Sequence, residues 1–364
     1  MMRKVAIFGV GLIGGSLGMG LVARGLARQV TGIGRNEDNL RTAVSLRAIT
    51  DYTTDPVRGV EGAELVVLAL PVRLITGALR AVAEGLAPGT IVTDVGSTKV
   101  EIVREAEALV PPGVHFVGGH PMTGSEQAGV QAADRYLFEG AYYILTPTQN
   151  TDHTALSKMS GLVENLGARV IKLDPLEHDR IVAAVSHFPH LVASALMNTI
   201  FGLGDTDRTF PLAAGGFRDT TRIASGNPDV WRDIFVSNRR PLLEIVAGFR
   251  RELQLIEGIL AGSDEAALVD WLKKARQARE LLPSKAKGYM QDLYHMNITI
   301  SDQPGSIAAF AATLYRHGIN ISDIEVLRVR EGEGGTVRLA FGSKAERDQA
   351  ARLLGEDGIP VNKR

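Results

Sequence analysis

Cysteine is absent from this chain of 364 residues. Its absence excludes disulfide bonds and thiolate metal sites, and it favours a cytoplasmic protein because disulfides form mainly in oxidising compartments. The histidines lack the acidic or thiolate neighbours that a divalent ion requires, so we expect no metal site.

The sequence also lacks an excess of charge and long hydrophobic runs. The formal net charge is −1, which argues against a nucleic-acid-binding surface or a basic membrane-binding patch. We expect no apolar run that approaches the roughly 18 residues of a membrane-spanning helix, and no signal peptide before the first strand. The expectation is a soluble, cytoplasmic protein of two or three domains that binds neither nucleic acid nor membranes.

A dinucleotide-binding fingerprint opens the chain. The apolar run at residues 3–8 predicts a buried strand, and the motif Gly-x-Gly-x-x-Gly that follows it leads into a helix. Gly9 permits the tight turn, Gly11 lets the backbone approach a pyrophosphate, and Gly14 lets helix and strand pack closely. The sequence therefore predicts binding of NAD or NADP by Gly9, Gly11, Leu12, Ile13 and Gly14.

The residues after the second predicted strand leave the choice of cofactor open. An NAD site usually has an acidic residue there, which binds the ribose 2′-hydroxyl, but this chain has Gly34 and Arg35. A guanidinium at Arg35 suits the 2′-phosphate of NADP, whereas Glu37 or Asp38 would still suit the ribose of NAD. Arg35 is also explained as a solvated surface charge.

The first 172 residues predict an α/β domain. Apolar strand-like runs alternate there with helix-like stretches, which is typical of a doubly wound, Rossmann-type parallel sheet with helices on both faces. Ligands bind beyond the carboxyl ends of such strands. Three segments begin at those ends, namely one at Pro71, one at Gly96–Lys99 and the glycine-rich loop Gly118–Gly129, so we expect all three to face the cofactor.

The third segment contains the candidate general base. It places His120 beside a hydroxyl and a carboxylate, in backbone that glycine and proline make irregular. An imidazole titrates near neutral pH and can accept a proton from a substrate hydroxyl. The alternative is a turn that contains a histidine by chance.

Residues 173–290 predict an all-helical domain, because Ala, Leu and Ile recur there at helical spacing. This domain contains two polar clusters, Ser186–His190 and Gly215–Arg222. The guanidinium of Arg222 suits a carboxylate, which it can bind through two parallel charged hydrogen bonds. For the histidines of the first cluster, a structural role in the core is the alternative.

Residues 293–364 predict a small α+β domain of order βαββαβ. Strand-like alternation occurs at residues 293–300, 319–326 and 336–341, and Asp302–Gly305 predicts a turn that starts a helix.

Five motifs occur in order along the chain, and together they resemble the prephenate dehydrogenases that carry a C-terminal ACT domain. The resemblance covers essentially the whole chain, and five ordered motifs are far more specific than one fingerprint. The motifs are GxGLIGGS at the N-terminus, DVGSTK at Asp94–Lys99, GGHPMTGSE at Gly118–Glu126, SHFPH at Ser186–His190 and FRDTTRIA at Phe217–Ala224.

This resemblance implies an oxidoreductase of L-tyrosine biosynthesis, which converts prephenate to 4-hydroxyphenylpyruvate by oxidative decarboxylation. Hydride passes to the nicotinamide while His120 takes the proton of the ring hydroxyl. By similarity, Ser97 binds the same hydroxyl or orients His120, and Arg222 binds a substrate carboxylate. The remaining residues that the resemblance places at the substrate are Ser186, His187, His190, Glu126, Asp219 and Trp231.

The resemblance also implies assembly and regulation. The helical domain is expected to form a homodimer. The ACT-like domain is expected to bind tyrosine as an effector, with Asp302, Gly305 and Asn320 as candidate regulatory residues. The alternative is that it serves only to dimerise, as other small domains of this topology do.

Three alternatives stay open at this point. Arogenate dehydrogenase is the nearest, because the same base and arginine serve a substrate with an amine in place of the keto group. The β-hydroxyacid dehydrogenases share the fingerprint and a helical domain, but they rely on a lysine in that domain and lack the His-Pro loop. The third alternative is an amino-acid sensor without catalytic activity, but such a protein would have no need for His120, Ser97 and Arg222 together.

Overall fold

The structure is a computed structural model that describes residues 1–124, 127–282, 293–330 and 334–362. The chain forms two compact units, Met1–Gly288 and Tyr289–Arg364. The predicted boundary at 172/173 falls inside the first unit, and the one at 290–293 lies outside the described residues. Both domain boundaries stay predictions.

The first unit is built on a sheet whose described strands number eight. They are β1 (Met2–Phe8), β2 (Ala27–Ile33), β3 (Asp51–Thr53), β4 (Leu65–Leu68), β5 (Ile91–Asp94), β6 (His115–Pro121), β7 (Tyr142–Thr146) and β8 (Arg169–Lys172). Their order is β3-β2-β1-β4-β5-β6-β7-β8, and neighbours pair in parallel except β6 and β7. The predicted doubly wound sheet is therefore confirmed.

Helices cover both faces of this sheet. They are α1 (Leu12–Ala23), α2 (Glu37–Ser45), α3 (Pro56–Val60), α4 (Val72–Val82), α5 (Val100–Leu109) and α6 (His153–Asn165). The side chains of β1 alternate between two cores, because Val5 and Ile7 belong to one and Ala6 and Phe8 to the other. A strand buried on both faces has to be apolar at every position, and this explains the uninterrupted run that the sequence shows.

The helical part of the first unit follows β8. It comprises α7 (Pro175–Val182), α8 (Phe188–Phe201), α9 (Thr206–Thr209), α10 (Gly215–Thr221), α11 (Pro228–Ser237), α12 (Arg239–Ala261) and α13 (Glu265–Glu280). A π-helical turn, Ala183–His187, joins α7 to α8.

This junction corrects one expectation from the sequence. Helices α7 and α8 form a continuous run, Pro175–Phe201, that is long and apolar enough to span a membrane, with a mean hydropathy of 1.3 over its most apolar window. The expectation that no run approaches about 18 residues is wrong, because Pro189 lies in the first turn of α8 and does not end the helix. One such helix is weak evidence for a membrane, since a helix of a soluble protein passes the same test.

The second unit has the predicted βαββαβ order. Its elements are β9 (Tyr294–Ile300), α14 (Ser306–Arg316), β10 (Asp323–Arg330), β11 (Gly334–Phe341), α15 (Lys344–Glu356) and β12 (Val361–Asn362). The strands form an antiparallel sheet of order β10-β11-β9-β12. Phe310 and Leu314 of α14 pack with Met296 and Leu339 of the sheet. The predicted α+β fold is confirmed.

Candidate active site

His120 lies in a strand and not, as the sequence suggests, in a loop. It is the penultimate residue of β6, where it pairs with Ile144 of the antiparallel strand β7, and only 8% of its surface is exposed. The preceding glycines serve close packing, because a Cβ atom on Gly119 would lie 2.7 Å from the carbonyl oxygen of Asp94. Pairing with β7 and the close packing of Gly119 against Asp94 therefore fix the backbone at His120.

The ring of His120 is joined to a second buried histidine of α7. Nδ1 of His120 lies 2.8 Å from Nε2 of His178. Nδ1 of His178 in turn lies 2.8 Å from Oδ1 of Asp179. These three side chains form a hydrogen-bonded chain, which we call the Asp179–His178–His120 chain.

Burial keeps the imidazoles of this chain neutral. It lowers the pKa of His120 well below its ordinary value, and the neighbouring His178, Lys99 and His187 act in the same direction. Burial also lowers the pKa of His178, although Asp179 opposes this shift. Near pH 7 the ring of His120 therefore has a free electron pair on one nitrogen, as a general base requires.

A buried ion pair holds the peptide that precedes His120. Lys99 Nζ pairs with the carboxylate of Asp94, and both side chains are completely buried. Lys99 Nζ also donates to the carbonyl of Gly119 at 2.8 Å, while the N–H of Gly119 donates to Asp94 Oδ1 at 3.1 Å. The pair therefore holds Gly119 through both of its backbone polar groups.

Asp179 ties the helical part of the unit to the segment between β5 and α5. Its carboxylate accepts from the backbone N–H groups of Lys99 at 2.7 Å and Val100 at 2.9 Å, at the N-terminus of α5. The segment that Asp179 fixes contains Ser97, which is half-buried. One carboxylate thus anchors both the Ser97 segment and His178.

His187 of the Ser186–His190 cluster is linked through Asn238 to the Asp179–His178–His120 chain. Asn238 Nδ2 donates to the backbone carbonyl of Asp179 at 2.8 Å and lies 3.0 Å from His187 Nδ1. Burial lowers the pKa of His187 to about 4. Since Nδ1 of neutral His187 accepts from Asn238, its Nε2 carries the proton.

His190 stacks on Trp231. Their ring centroids are 3.6 Å apart and their planes differ by 13°. Gly226 packs closely against these rings, because a Cβ atom there would lie 3.0 Å from Cε1 of His190. Nδ1 of His190 is buried and has no hydrogen-bond partner among the described residues.

The remaining substrate-site candidates are placed less closely. Ser186 is half-buried in the π-helical turn beside His187. Asp219 lies exposed on α10, and Arg222 begins the 3₁₀ turn Arg222–Ser225, which packs on α8. Glu126 lies outside the described residues.

The loop after β1 has the form that a dinucleotide requires. Gly9 has φ +81°, and Gly14 packs so that a Cβ atom would lie 3.1 Å from Ile7 Cγ2. A Cβ atom on Gly11 would meet nothing within 4 Å, in front of the N-terminus of α1. Leu12 and Ile13 form the first turn of α1, which contains no acidic residue. An open space before unpaired helix N–H groups fits a pyrophosphate.

The other cofactor candidates lie where the strands end. Pro71 is the N-cap residue of α4, and Arg35 is exposed after β2. Glu37 accepts from Arg41 at 2.9 Å and from the hydroxyl of Tyr52 at 3.1 Å, and these bonds lower its pKa. The carboxylate of Glu37 is thus already bound within the protein.

Sequence reasoning missed five residues of the site, namely Asp94, Lys99, His178, Asp179 and Asn238. The sequence does contain a signal for His178 and Asp179, because an imidazole and a carboxylate are adjacent there at the start of the helical domain. Asp94 begins the DVGSTK motif and Lys99 ends it, but their contacts with Gly119 require β6 to lie beside β5. In the described ranges, no group of three His, Cys, Asp or Glu residues is arranged to hold a metal ion, and the absence of a metal site stays a prediction.

Comparison with known proteins decides the family. The models for the nucleotide-binding and dimerization domains of prephenate dehydrogenase match residues 17–172 and 174–274, and the ACT domain model matches residues 294–354. A prephenate dehydrogenase of Bacillus subtilis (strain 168) is 35% identical over 359 residues, which cover 97% of this chain and 96% of the relative. The chain belongs to the prephenate dehydrogenase family. This membership confirms the resemblance that the motifs carry.

Two further relatives agree with membership of the prephenate dehydrogenase family. A prephenate dehydrogenase of Lactococcus lactis subsp. cremoris (strain MG1363) is 35% identical over 365 residues, covering 98% of each chain. The crystal structure of prephenate dehydrogenase from A. aeolicus, in complex with hydroxyphenyl propionate and NAD⁺, superposes with a TM-score of 0.72. It is 33% identical and covers 77% of this chain and 98% of its own.

Proposed function

We propose that this chain converts prephenate to 4-hydroxyphenylpyruvate by oxidative decarboxylation, with NAD as the hydride acceptor. The observation that carries the proposal is the buried, neutral imidazole of His120, which a second histidine holds in place in a member of the prephenate dehydrogenase family. An oxidation of a ring carbon that bears a hydroxyl needs a base at that position.

The chemistry assigned to His120 is proton transfer at the ring hydroxyl. NAD, when bound, supplies the hydride acceptor. His120 takes the hydroxyl proton at Nε2 as hydride leaves the same carbon. The bond between the ring and its carboxylate then breaks, its electron pair enters the ring, and carbon dioxide leaves. The proton returns from His120 to the oxygen, so one prephenate yields one 4-hydroxyphenylpyruvate and one reduced cofactor.

The loop after β1 supports binding of a nicotinamide dinucleotide. Gly9, Gly11 and Gly14 give it the turn, the open approach and the helix packing that a dinucleotide needs. The N–H groups of Leu12 and Ile13, in the first turn of α1, would bind the pyrophosphate. Pro71, the N-cap residue of α4, would line the same site at the end of β4.

The substrate contacts follow from charge and hydrogen-bonding capacity. Arg222 binds a carboxylate of prephenate, while Ser97 binds the ring hydroxyl or orients His120. His187 offers an N–H donor, and the unpartnered Nδ1 of His190 offers a polar contact within the same pocket. The other residues proposed to support this pocket are Ser186, Glu126, Asp219 and Trp231.

The proposal extends to assembly, regulation and location. The helical part forms a homodimer, which is supported by the dimerization-domain match and by exposed leucines of α12 at positions 243, 253, 255 and 260. The ACT domain binds tyrosine near Asp302, Gly305 and Asn320, at the start of α14 and before β10. The absence of cysteine supports a cytoplasmic location.

Turnover with four substrate and cofactor pairs tests the proposal. Prephenate and arogenate are each combined with NAD and NADP, and the absorbance of the reduced nicotinamide is followed. We expect turnover with prephenate and NAD. Arogenate is the less supported substrate, because relatives that match over nearly the full length are prephenate dehydrogenases. Turnover of arogenate alone, or of neither substrate, would contradict the proposal.

A further inference from the structure

We propose that His178 and Asp179 are positioning residues that fix the proton of His120 on Nδ1 and thereby leave Nε2 as the atom that accepts the substrate proton. This inference rests on the proposed role of His120 as the general base. The Asp179–His178–His120 chain carries it, because each link of that chain permits only one direction of hydrogen bonding.

The direction of the chain is set at Asp179. An ionised carboxylate can only accept, and Oδ1 of Asp179 already accepts from the N–H of Lys99. The ring of His178 must therefore donate to it from Nδ1, at 2.8 Å. A neutral His178 then has only an electron pair at Nε2, so His120 must donate to it from Nδ1, also at 2.8 Å. The electron pair of His120 is left on Nε2.

The charged and titratable groups around the ring favour this arrangement. Burial, His178, Lys99 and His187 disfavour a proton on both nitrogens of His120 in the resting protein. Asp94 and Asp179 act on the neighbouring His178 in the opposite direction. A resting ring with one proton and a defined acceptor is what a general base requires.

The same chain stabilises the charge that the reaction creates. When Nε2 of His120 takes the substrate proton, the ring becomes a cation whose Nδ1–H still donates to His178. The carboxylate of Asp179, at the far end of the chain, attracts this charge through His178, and no proton has to leave the chain. In serine proteases, replacing the buried aspartate that orients the histidine lowers kcat by roughly 10⁴-fold.

Asp179 is itself held in place at its end of the Asp179–His178–His120 chain. It accepts from the backbone of Lys99 and Val100, so the Ser97 segment and the base share one anchor. Asp179 therefore links the segment that contains Ser97 to the ring of His178, which contacts His120.

The experiment reads the tautomer of His120 directly, by ¹⁵N NMR of the full-length protein labelled at histidine. His120→Asn assigns the signal, and His153→Gln, a change at an exposed histidine at the start of α6, is the matched control. We expect Nδ1 of His120 to carry the proton and Nε2 to be bare near pH 7. A proton on Nε2, or on both nitrogens, would overturn the inference. The reading needs no substrate, so it stays valid if the proposed function fails.

Two variants of His178 test the cause. His178→Leu removes the acceptor, and we expect a mixture of His120 tautomers and a kcat about 10- to 100-fold lower, with NAD affinity and KM for prephenate within about twofold. His178→Gln keeps an acceptor oxygen near the place of Nε2, and we expect it to restore the Nδ1–H tautomer and part of kcat. Unchanged tautomer and kcat in His178→Leu, or no difference between two folded variants, would show that His178 only fills space.

Discussion

At the scale of single residues, burial sets the protonation of the site. It is the main cause that lowers the pKa of His120, His178, His187 and His190. His120, His178 and His187 would also repel one another if they were charged, and burial keeps them neutral. Hydrogen bonding then decides which nitrogen of His120 or His187 carries the single proton. Burial thus keeps the proposed base His120 neutral, and its hydrogen bond to His178 orients the ring.

Arg222→Ala tests the carboxylate contact. A charge-assisted hydrogen bond to a carboxylate contributes about 1.5–3 kcal/mol, so we expect KM for prephenate to rise by about 10- to 100-fold in steady-state kinetics, with NAD affinity retained. Arg208→Ala, at another exposed arginine of the helical part, is the control and should leave KM unchanged. Equal KM values in wild type and Arg222→Ala would remove Arg222 from substrate binding.

Gly34→Asp tests whether the residues after β2 bind the ribose of the cofactor and thereby select between NAD and NADP. A Cβ atom at Gly34 would make only ordinary contacts with Leu40, at 3.4 Å or more, so we expect the variant to fold. A carboxylate there binds the ribose 2′-hydroxyl of NAD and repels the 2′-phosphate of NADP. We expect the ratio of the two dissociation constants, measured by calorimetric titration, to shift toward NAD by about tenfold. An unchanged ratio would place the ribose elsewhere.

At the scale of the elements, the site depends on β5 and β6 lying side by side. Asp94 ends β5, and Lys99 follows five residues later, directly before α5. Their buried pair holds Gly119 of β6, the residue before the proposed base His120. Helix α7 adds the second anchor, because Asp179 accepts from the N-terminus of α5. Three elements thereby converge on one imidazole.

Lys99→Met tests the buried pair. Removing one partner of a buried ion pair leaves the other charge unpaired and costs about 3–5 kcal/mol. We expect a loss of that size in the free energy of unfolding, measured by urea denaturation. Lys273→Met breaks an exposed pair with Asp270 and should cost less than about 1 kcal/mol. Similar losses in the two variants would mean that the Lys99 pair contributes no more than a surface pair.

Some of these elements can be predicted from the sequence and others cannot. Strand β1 and the loop after it were predictable, because burial on both faces and close backbone packing leave direct marks in residues 3–14. The strand position of His120 was not, because it depends on pairing with β7 across the sheet. The contact of His120 with His178 joins residues 58 positions apart, and no periodicity reports such a pair. The roles assigned to the site residues stay predictions.

At the scale of the whole molecule, the site lies within the first compact unit, where sheet and helical part contact each other. The proposed base, His120, comes from the sheet, while His178, Asp179 and the stacked pair His190 and Trp231 come from the helices. Neither part has the complete site alone. Although the run Pro175–Phe201 is largely apolar, it therefore brings the polar side chains of His178 and Asp179 into contact with the sheet and the N-terminus of α5.

The pH dependence of stability tests the buried histidines together. The pKa of His187 lies near 4 in the folded chain, below the 6.5 of a free imidazole, so the unfolded chain takes up a proton first as the pH falls. The free energy of unfolding should therefore be unaffected above about pH 6.5 and fall by roughly 3 kcal/mol between pH 6.5 and 4 from this group. His120 and His178 act in the same direction. In urea denaturation, His187→Asn should show a shallower pH slope than wild type, and equal slopes would contradict the assignment.

The most direct test of the central claim is the turnover of prephenate with NAD by His120→Asn, compared with wild type under saturating substrate. General base catalysis contributes about 10²–10⁴-fold, so we expect a fall in kcat of that size, with NAD affinity retained because His120 is not part of the loop after β1. A variant that binds NAD normally and turns over prephenate at the wild-type rate would show that another group takes the proton.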